Sequence, residues 1–529
     1  MHKNTLLPKC LSAWALLFTM EYGIAEPHSL HEAPLHQTPL HENNLYKNHL
    51  PLKNTAFEDL LNDTYKLMDE NWQRPSGGFC SSGRAATWCA LGLLHRNASG
   101  DIEKASDMLT AVLSHQINAP GKYYHGAFVR RFLSPEEYNK LDLFNLSSSY
   151  FDYNYREFVG NAFILMLIEF SDVLPEELVK KMHDAVYLMA EGAYLRNMSA
   201  EYSNIAVMQA YLLHYAGIKY NQPRWEKRSR ALSGDIVRHF RENGTINEYN
   251  SPTYDGVTLI ALSMWRQHGL TRPFRAYGEV VYRELWENVL KHYHPKLRNF
   301  VGPWFRAYGN DVTQYVAMTG LLLNRNLPAE QWPSPDGEIR SMRHRHDFGT
   351  LPMADLLDVS LPKKLWRELY FPTYDRSFSE YISRDPVVKS SAYMGEDYMF
   401  GALYAERGMV HHQSKPITIH WQTITDDIGA ITLSSGHHTK ATAESGVLEV
   451  EINNVVKVRK NDNPEHIRFD VDIADSAELL SIEQNQWAFA GRTFEVKTDA
   501  TFIDVVKNGS QYHITYQFNT ESGNHFEIR

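Results

Sequence analysis

The chain has 529 residues, too many for a single compact core, so at least two domains are expected. Its 43% hydrophobic and 22% charged content is that of a globular protein, and a net charge of −10 supplies no global basic field, which argues against nucleic acid as a partner. The 30 tyrosines and 11 tryptophans serve a large core, and they also suit a cleft that stacks sugar rings.

The N-terminus reads as a secretory signal: Lys3 and Lys9, then an apolar run from Cys10 to Met20 too short to span a bilayer. Gly23-Ile-Ala25 offers small residues for cleavage after Ala25, which makes residues 1–25 a signal peptide and the protein secreted or periplasmic, with no membrane partner. Cys10 leaves with the signal. Cys80 and Cys89 remain in an exporting context, where one local disulfide and two buried free thiols are both open readings. Residues 26–54 form a His/Pro-rich tract with no helical or strand period, read as a disordered linker.

Order is expected from Thr55, where Thr55-x-x-Glu58 is a capping-box pattern; Ser134-x-x-Glu137 is a second. Helical periodicity recurs at residues 102–118, 156–170, 175–196, 204–216, 225–242, 273–292 and 312–323. The texture changes near residue 389. Short β-branched or alternating segments take over at 398–404, 416–423, 428–433, 447–458, 467–473, 493–497, 502–506 and 512–518, separated by turn signals such as Asn508-Gly509. The expected fold is therefore an N-terminal all-α region at 55–388, an α/α toroid or a solenoid, followed by a C-terminal antiparallel β-sandwich at 389–529. The lack of a fixed repeat period favours the toroid.

The loop Gly244-Thr-Ile-Asn-Glu248-Tyr-Asn250-Ser-Pro252-Thr-Tyr254 lies between two apolar-periodic segments and gathers a carboxylate, amides and phenols. A turn with surface tyrosines explains it as well as a site does, so its neighbours decide. Upstream, Glu201-Tyr202-Ser203-Asn204 opens a helix, where Ser203 or Asn204 is explained as an N-cap but Tyr202 is not. Downstream, Trp304-Phe-Arg306-Ala-Tyr308 is a second rich loop, ahead of a helix expected to start near Val312 with Asn310 or Asp311 as its cap. Arg156 and Glu157 read as a plain ion pair. His344-x-His346-Asp347 offers too few ligands for a tetrahedral metal site, and no metal or cofactor is assigned. No P-loop, dinucleotide fingerprint or nucleophile elbow is present.

Asn204 at a helix start, a Gly244-x-x-x-Glu248…Tyr254 loop some fifty residues on, and a helical domain followed by a His-bearing β domain resemble the heparinase II/III-like and alginate-lyase-like polysaccharide lyases. This chain has Asn204-Ile205 where that family often has Asn-His, and Asn243-Gly244 where it often has Asp-Gly. The resemblance implies an α/α toroid joined to a β-sandwich, and β-elimination from a uronate-containing polysaccharide. It implies Asn204 as neutraliser of the substrate carboxylate, Tyr254 as base and acid, His411 or His412 as helper, and Glu248 as an orienting group. Arg306, Trp304, Tyr308, Tyr202 and Asn250 are the substrate-binding candidates. The alternatives are an inverting glycoside hydrolase using carboxylates such as Glu157, Glu248 and Asp311, and a non-catalytic carbohydrate-binding protein.

Overall fold

The computed structural model describes residues 55–71, 78–328, 331–333, 335, 339, 342–406, 413–433, 436–458, 463–473, 479–508, 511–520 and 524–529. The signal peptide and the linker expected at 1–54 lie outside them, as do His411 and His412. All the described residues belong to one compact unit, Lys53–Arg529.

The helices are α1 (Thr55–Asn71), α2 (Gly83–Arg96), α3 (Asp101–Leu113), α4 (Pro135–Asn139), α5 (Tyr155–Glu169), α6 (Glu176–Arg196), α7 (Ser203–Lys219), α8 (Pro223–Asn243), α9 (Tyr254–His268), α10 (Arg272–His292), α11 (Met318–Leu323), α12 (Leu351–Leu356) and α13 (Trp366–Tyr370). They fall into two kinds. In α5 every residue from Arg156 to Leu167 is buried, and in α7 every residue from Ser203 to Gly217, so these helices have neighbours all round. In α8 burial follows one stripe, Trp225, Ser229, Leu232, Ser233, Ile236, Val237 and Phe240, with charged residues opposite. The packing repeats this division. α2 packs on α3 and α5, α5 on α6 and α7, α7 on α8 and α9, and α9 on α10 and α11. α12 returns to α2, and Thr350 at its start touches Met318 at the start of α11.

Residues 312–317 are not helical; the helix expected from Val312 begins at Met318. Asp311 accepts from Thr313 N at 2.7 Å and from its hydroxyl at 2.8 Å, and so closes a local turn instead of capping a helix. The second capping box is present as read: Ser134 Oγ accepts from Glu137 N, and the Glu137 carboxylate accepts from Ser134 N. Cys80 and Cys89 are bridged. Among the described residues no helix is long and apolar enough to cross a membrane.

Two short antiparallel pairs, β1 (Phe128–Val129) with β2 (Phe151–Asp152) and β3 (Tyr293–His294) with β4 (Asn299–Phe300), interrupt the helical region; the strands of the large sheet begin at Arg376, ahead of the change of texture read at 389. β5 (Arg376–Arg384) and β6 (Val387–Met394) form a hairpin whose serines and charged residues hide its alternation. After β7 (Tyr398–Ala405) come β8 (Ile417–Gln422), β9 (Ile428–Leu433), β10 (His437–Glu444), β11 (Val447–Val455), β12 (His466–Asp472), β13 (Leu479–Glu483), β14 (Gln486–Phe489), β15 (Arg492–Thr498), β16 (Thr501–Asn508), β17 (Gln511–Gln517) and β18 (Asn524–Ile528). They pair antiparallel in one sheet, in the order 13-14-15-18-11-10-7-8-9-12-17-16, and β6 also joins β7 with β5 beyond it. Phe400, Trp421, Phe469, Trp487, Phe494, Tyr516 and Phe526 fill its core. The architecture is thus α+β, a helical region followed by a large antiparallel sheet.

The sheet presses on one helical-region loop. Trp304 and Lys415 exchange backbone hydrogen bonds at 3.0 and 2.8 Å, and Ala307 N donates to Gln413 O at 3.0 Å. A Cβ on Gly401 of β7 would meet Gly302 C at 2.2 Å, so the two backbones touch where only glycine fits. This contact fixes the loop that carries Arg306.

Candidate active site

Glu248 is the centre of the site. Its residue is 1% exposed. Oε2 accepts from Asn204 N at 2.7 Å and from Asn204 Nδ2 at 2.6 Å, while Oε1 accepts from Arg306 Nη1 at 2.8 Å. The first bond is a helix cap supplied from another loop. An orphan N–H at the start of α7 is met by a carboxylate, where the helix dipole favours negative charge. Burial pushes the Glu248 carboxyl up, and Arg306 and the Asn204 donors oppose that.

Arg306 turns its other edge to the tyrosines. Nη2 donates to Tyr254 OH at 2.9 Å, and the guanidinium carbon lies 3.9 Å from the Tyr254 ring centroid. Nε donates to Gln413 Oε1 at 2.8 Å, and Nη1 reaches Tyr202 OH at 3.5 Å. Tyr254 OH and Tyr308 OH share a hydrogen bond of 2.6 Å. Burial drives the Tyr254 phenol well above its ordinary value; Arg306 opposes this and Tyr308 adds to it. At neutral pH Tyr254 therefore holds its proton.

Local packing holds Tyr254 in place. Ser251 Oγ accepts from Tyr254 N at 3.2 Å, opening α9. Two residues on, Gly256 N donates to Thr319 Oγ1 at 2.8 Å, and a Cβ there would meet Thr319 N at 2.5 Å. Asn250, at φ 42°, donates to Val301 O at 2.7 Å and Pro303 O at 3.1 Å, tying the Glu248 loop to the Arg306 loop.

The candidates therefore divide. The structure brings Asn204, Glu248, Tyr254, Arg306, Tyr308 and Tyr202 together. It does not open Asn204 to a ligand: the residue is 0% exposed and its amide N–H group serves Glu248. Asn250 is buried and spends its donors on backbone carbonyls. Trp304 is 1% exposed, 5.2 Å from the His420 ring, so it has no free face for a sugar. The hydrolase carboxylates are equally occupied. Glu157 is buried among Arg156, Arg196 and Gln209 at 3.1–3.3 Å, Glu248 is paired as above, and Asp311 closes its turn.

Two further residues complete the site. Arg84 stands in the first turn of α2, against the helix dipole. Its guanidinium lies 3.9 Å from Asp347 Oδ1 and 4.9–5.3 Å from the Trp88, Phe158 and Tyr155 rings, within electrostatic reach of Tyr254. A cation at a helix N-terminus is a signal in Ser82-Gly-Arg84 that periodicity alone passes over. His344, at φ 63°, packs against Tyr308 with ring centroids 3.5 Å apart and the ring planes tilted by 33°. Burial and the surrounding guanidiniums of Arg343, Arg84 and Arg306 lower its imidazole to about 4, so it is neutral at pH 7. His346 is engaged with Phe79 O at 2.8 Å and Asp347 with Arg84, so that cluster serves the site as a wall.

Helix ends build this place. The N-termini of α2, α5, α7 and α9 contribute Arg84, Tyr155, Asn204 and Tyr254, and Arg196 at the end of α6 joins through Asn154 to Tyr202 at 2.8 and 3.2 Å. The arrangement offers a protonated phenol, a neutral imidazole and two guanidiniums, a set suited to moving protons beside an anion.

No curated protein matches the chain. A family model described as a domain of unknown function, DUF8769, matches residues 58–358, which include Arg84, Asn204, Glu248, Tyr254, Arg306, Tyr308 and His344. With more than half its length matched, the chain belongs to that family.

Proposed function

We propose that the protein is a polysaccharide lyase that cleaves a uronate-containing polymer by β-elimination, on an α/α toroid joined to an antiparallel β-sandwich. One observation carries the reading: the Tyr254 hydroxyl lies between the Arg306 guanidinium and the Tyr308 hydroxyl, at 2.9 and 2.6 Å, in a site edged by Arg84. The toroid is supported by the alternation of fully buried and one-sided helices and by the return of α12 to α2.

Elimination needs three acts. A cation or amide neutralises the uronate carboxylate, a base takes the C5 proton, and an acid protonates the leaving O4 as the C4–C5 double bond forms. Asn204 is committed to Glu248, so the first role passes to Arg84, with Arg306 behind it. Tyr254 starts protonated and acts as the acid. His344, unprotonated at neutral pH and with a side chain 27% exposed, is the base available at rest. Glu248 holds Arg306 and the start of α7 together. The buried, paired state of Glu157, Glu248 and Asp311 weighs against the hydrolase. The disulfide fits a secreted or periplasmic location.

Ultraviolet absorbance during incubation with alginate, glucuronan, heparan and hyaluronan tests this. Elimination leaves a conjugated double bond and hydrolysis does not. A rising signal on one polymer supports the reading; a flat signal with new reducing ends from a neutral glucan refutes it.

A further inference from the structure

A second concave surface lies on the sheet, on the far side of β6 from the active-site loops. It is a cavity of about 770 Å³, within the range that accepts small ligands. Register explains its shape. Tyr381, Lys389 and Tyr404 stand opposite one another across β5, β6 and β7, and so share a face. The next row on that face is Ser379, Ser391 and Ala402, and the row beyond is Ser377, Tyr393 and Phe400. A row of small side chains between two rows bearing large ones makes a trough, and β10 walls it with Thr442, Ala443 and Glu444.

The lining is rich in unspent donors. Ser391 Oγ accepts from Ala443 N at 2.9 Å and Ser377 Oγ from Ser445 N at 2.9 Å, which leaves each hydroxyl proton to donate. Ser379 and Thr442 add two more hydroxyls. Lys389 lies 4.5 Å from the Tyr381 ring centroid and has no carboxylate within ion-pair distance among the described residues, although Glu406 and Glu444 also line the cavity. A cation steadied on an aromatic ring among hydroxyl donors matches an anionic ligand rich in acceptors. On its other face, the next residue of β6, Ser390, accepts from Tyr249 OH at 2.6 Å, so one strand separates this trough from the residue beside Glu248.

We infer that the β5–β6–β7 trough is a second, non-catalytic binding site for an acidic oligosaccharide, with its carboxylate on Lys389 and its hydroxyls among Ser379, Ser391 and Thr442. The choice of ligand rests on the lyase reading; the site itself does not. The test is calorimetric titration of short oligoglucuronate and oligoguluronate, with a neutral cello-oligosaccharide as control, into the full chain carrying Tyr254→Phe to block turnover. Lys389→Ala removes the cation, and Ser379→Trp fills the trough from an exposed position; circular dichroism checks that both fold. We expect each to remove one class of sites, weakening it at least about tenfold, while Arg84→Ala leaves that class intact. Binding unchanged in Lys389→Ala and Ser379→Trp, no binding at all, or equal binding of the neutral sugar overturns the inference, whatever the absorbance assay shows. Loss of binding in the trough variants, with no polymer yielding an unsaturated product, keeps the trough and removes the lyase reading.

Discussion

The Arg306 guanidinium both donates to the Tyr254 hydroxyl at 2.9 Å and lies 3.9 Å from that ring's centroid. Its opposite edge is held by Glu248 at 2.8 Å. One cation thus joins a buried carboxylate to a phenol, and the two neighbours have different duties.

Removing the phenol should stop chemistry and spare the fold. Tyr254→Phe keeps the ring over Arg306, so the melting temperature should shift by only a few degrees. Turnover on the responsive polymer should fall by about 10²-fold or more. Absorbance kinetics and a thermal melt on the same preparation check both halves; near-normal turnover removes Tyr254 from the mechanism.

Removing the carboxylate should act on the fold itself. Glu248→Ala strands Arg306 and uncaps α7, a buried pair broken from one side. The expected loss is roughly 3–5 kcal/mol in denaturant unfolding. A loss below about 1 kcal/mol would show that Glu248 is not the tie described.

Arg84 should act on affinity. Arg84→Ala should raise KM for an anionic polymer about tenfold with a smaller change in kcat, and flatten the dependence of KM on salt. Arg84 lies inside the segment closed by Cys80 and Cys89, whose bridge should contribute roughly 2–3 kcal/mol for so short a loop. Replacing both cysteines with serine should therefore lower stability and shift KM in the same direction as Arg84→Ala. Steady-state kinetics of the two variants, side by side, decide this.

Acid should weaken the fold through buried histidines. Burial lowers His214, His294, His344 and His420 to about 4 from an ordinary 6.5. Between these values the unfolded chain binds more protons than the folded one, so stability is full above about 6.5 and declines as pH falls toward 4. His214 stacks on Phe274 at 3.9 Å and accepts from Leu270 N at 3.0 Å. Its share is on the order of 3 kcal/mol. His214→Gln should flatten the slope of unfolding free energy against pH in that window; an unchanged slope would refute the assignment.

Much of the helical region was legible because several of its helices start at proline, and two of these end at asparagine or glycine. The segments read at 175–196, 225–242 and 273–292 match α6, α8 and α10 within two residues at either end. The hairpin of β5 and β6 was not legible, since its exposed face carries the serines and lysine that line a groove. In the site, Tyr254, Glu248 and Arg306 stood out by residue type in polar loops. Spacing could not show that Asn204 would be spent on Glu248, a contact between residues 44 apart in sequence. Nor could it show that Trp304 would face His420 and not solvent. Arg84 was passed over because it is ordinary in its own segment, and His344 was weighed only as a metal ligand; each becomes notable only beside Tyr308 and Tyr254.

The backbone contact of Gly302 with Gly401 joins the matched segment 58–358 to a strand outside it. Arg306 is four residues from that contact. The helical segment therefore does not hold the geometry of the candidate site on its own. A chain divided near residues 371–375 would lose the surface that sets the guanidinium, and a graft of the helical half onto another sheet would have to recreate a glycine-sized gap before Arg306 could reach Tyr254.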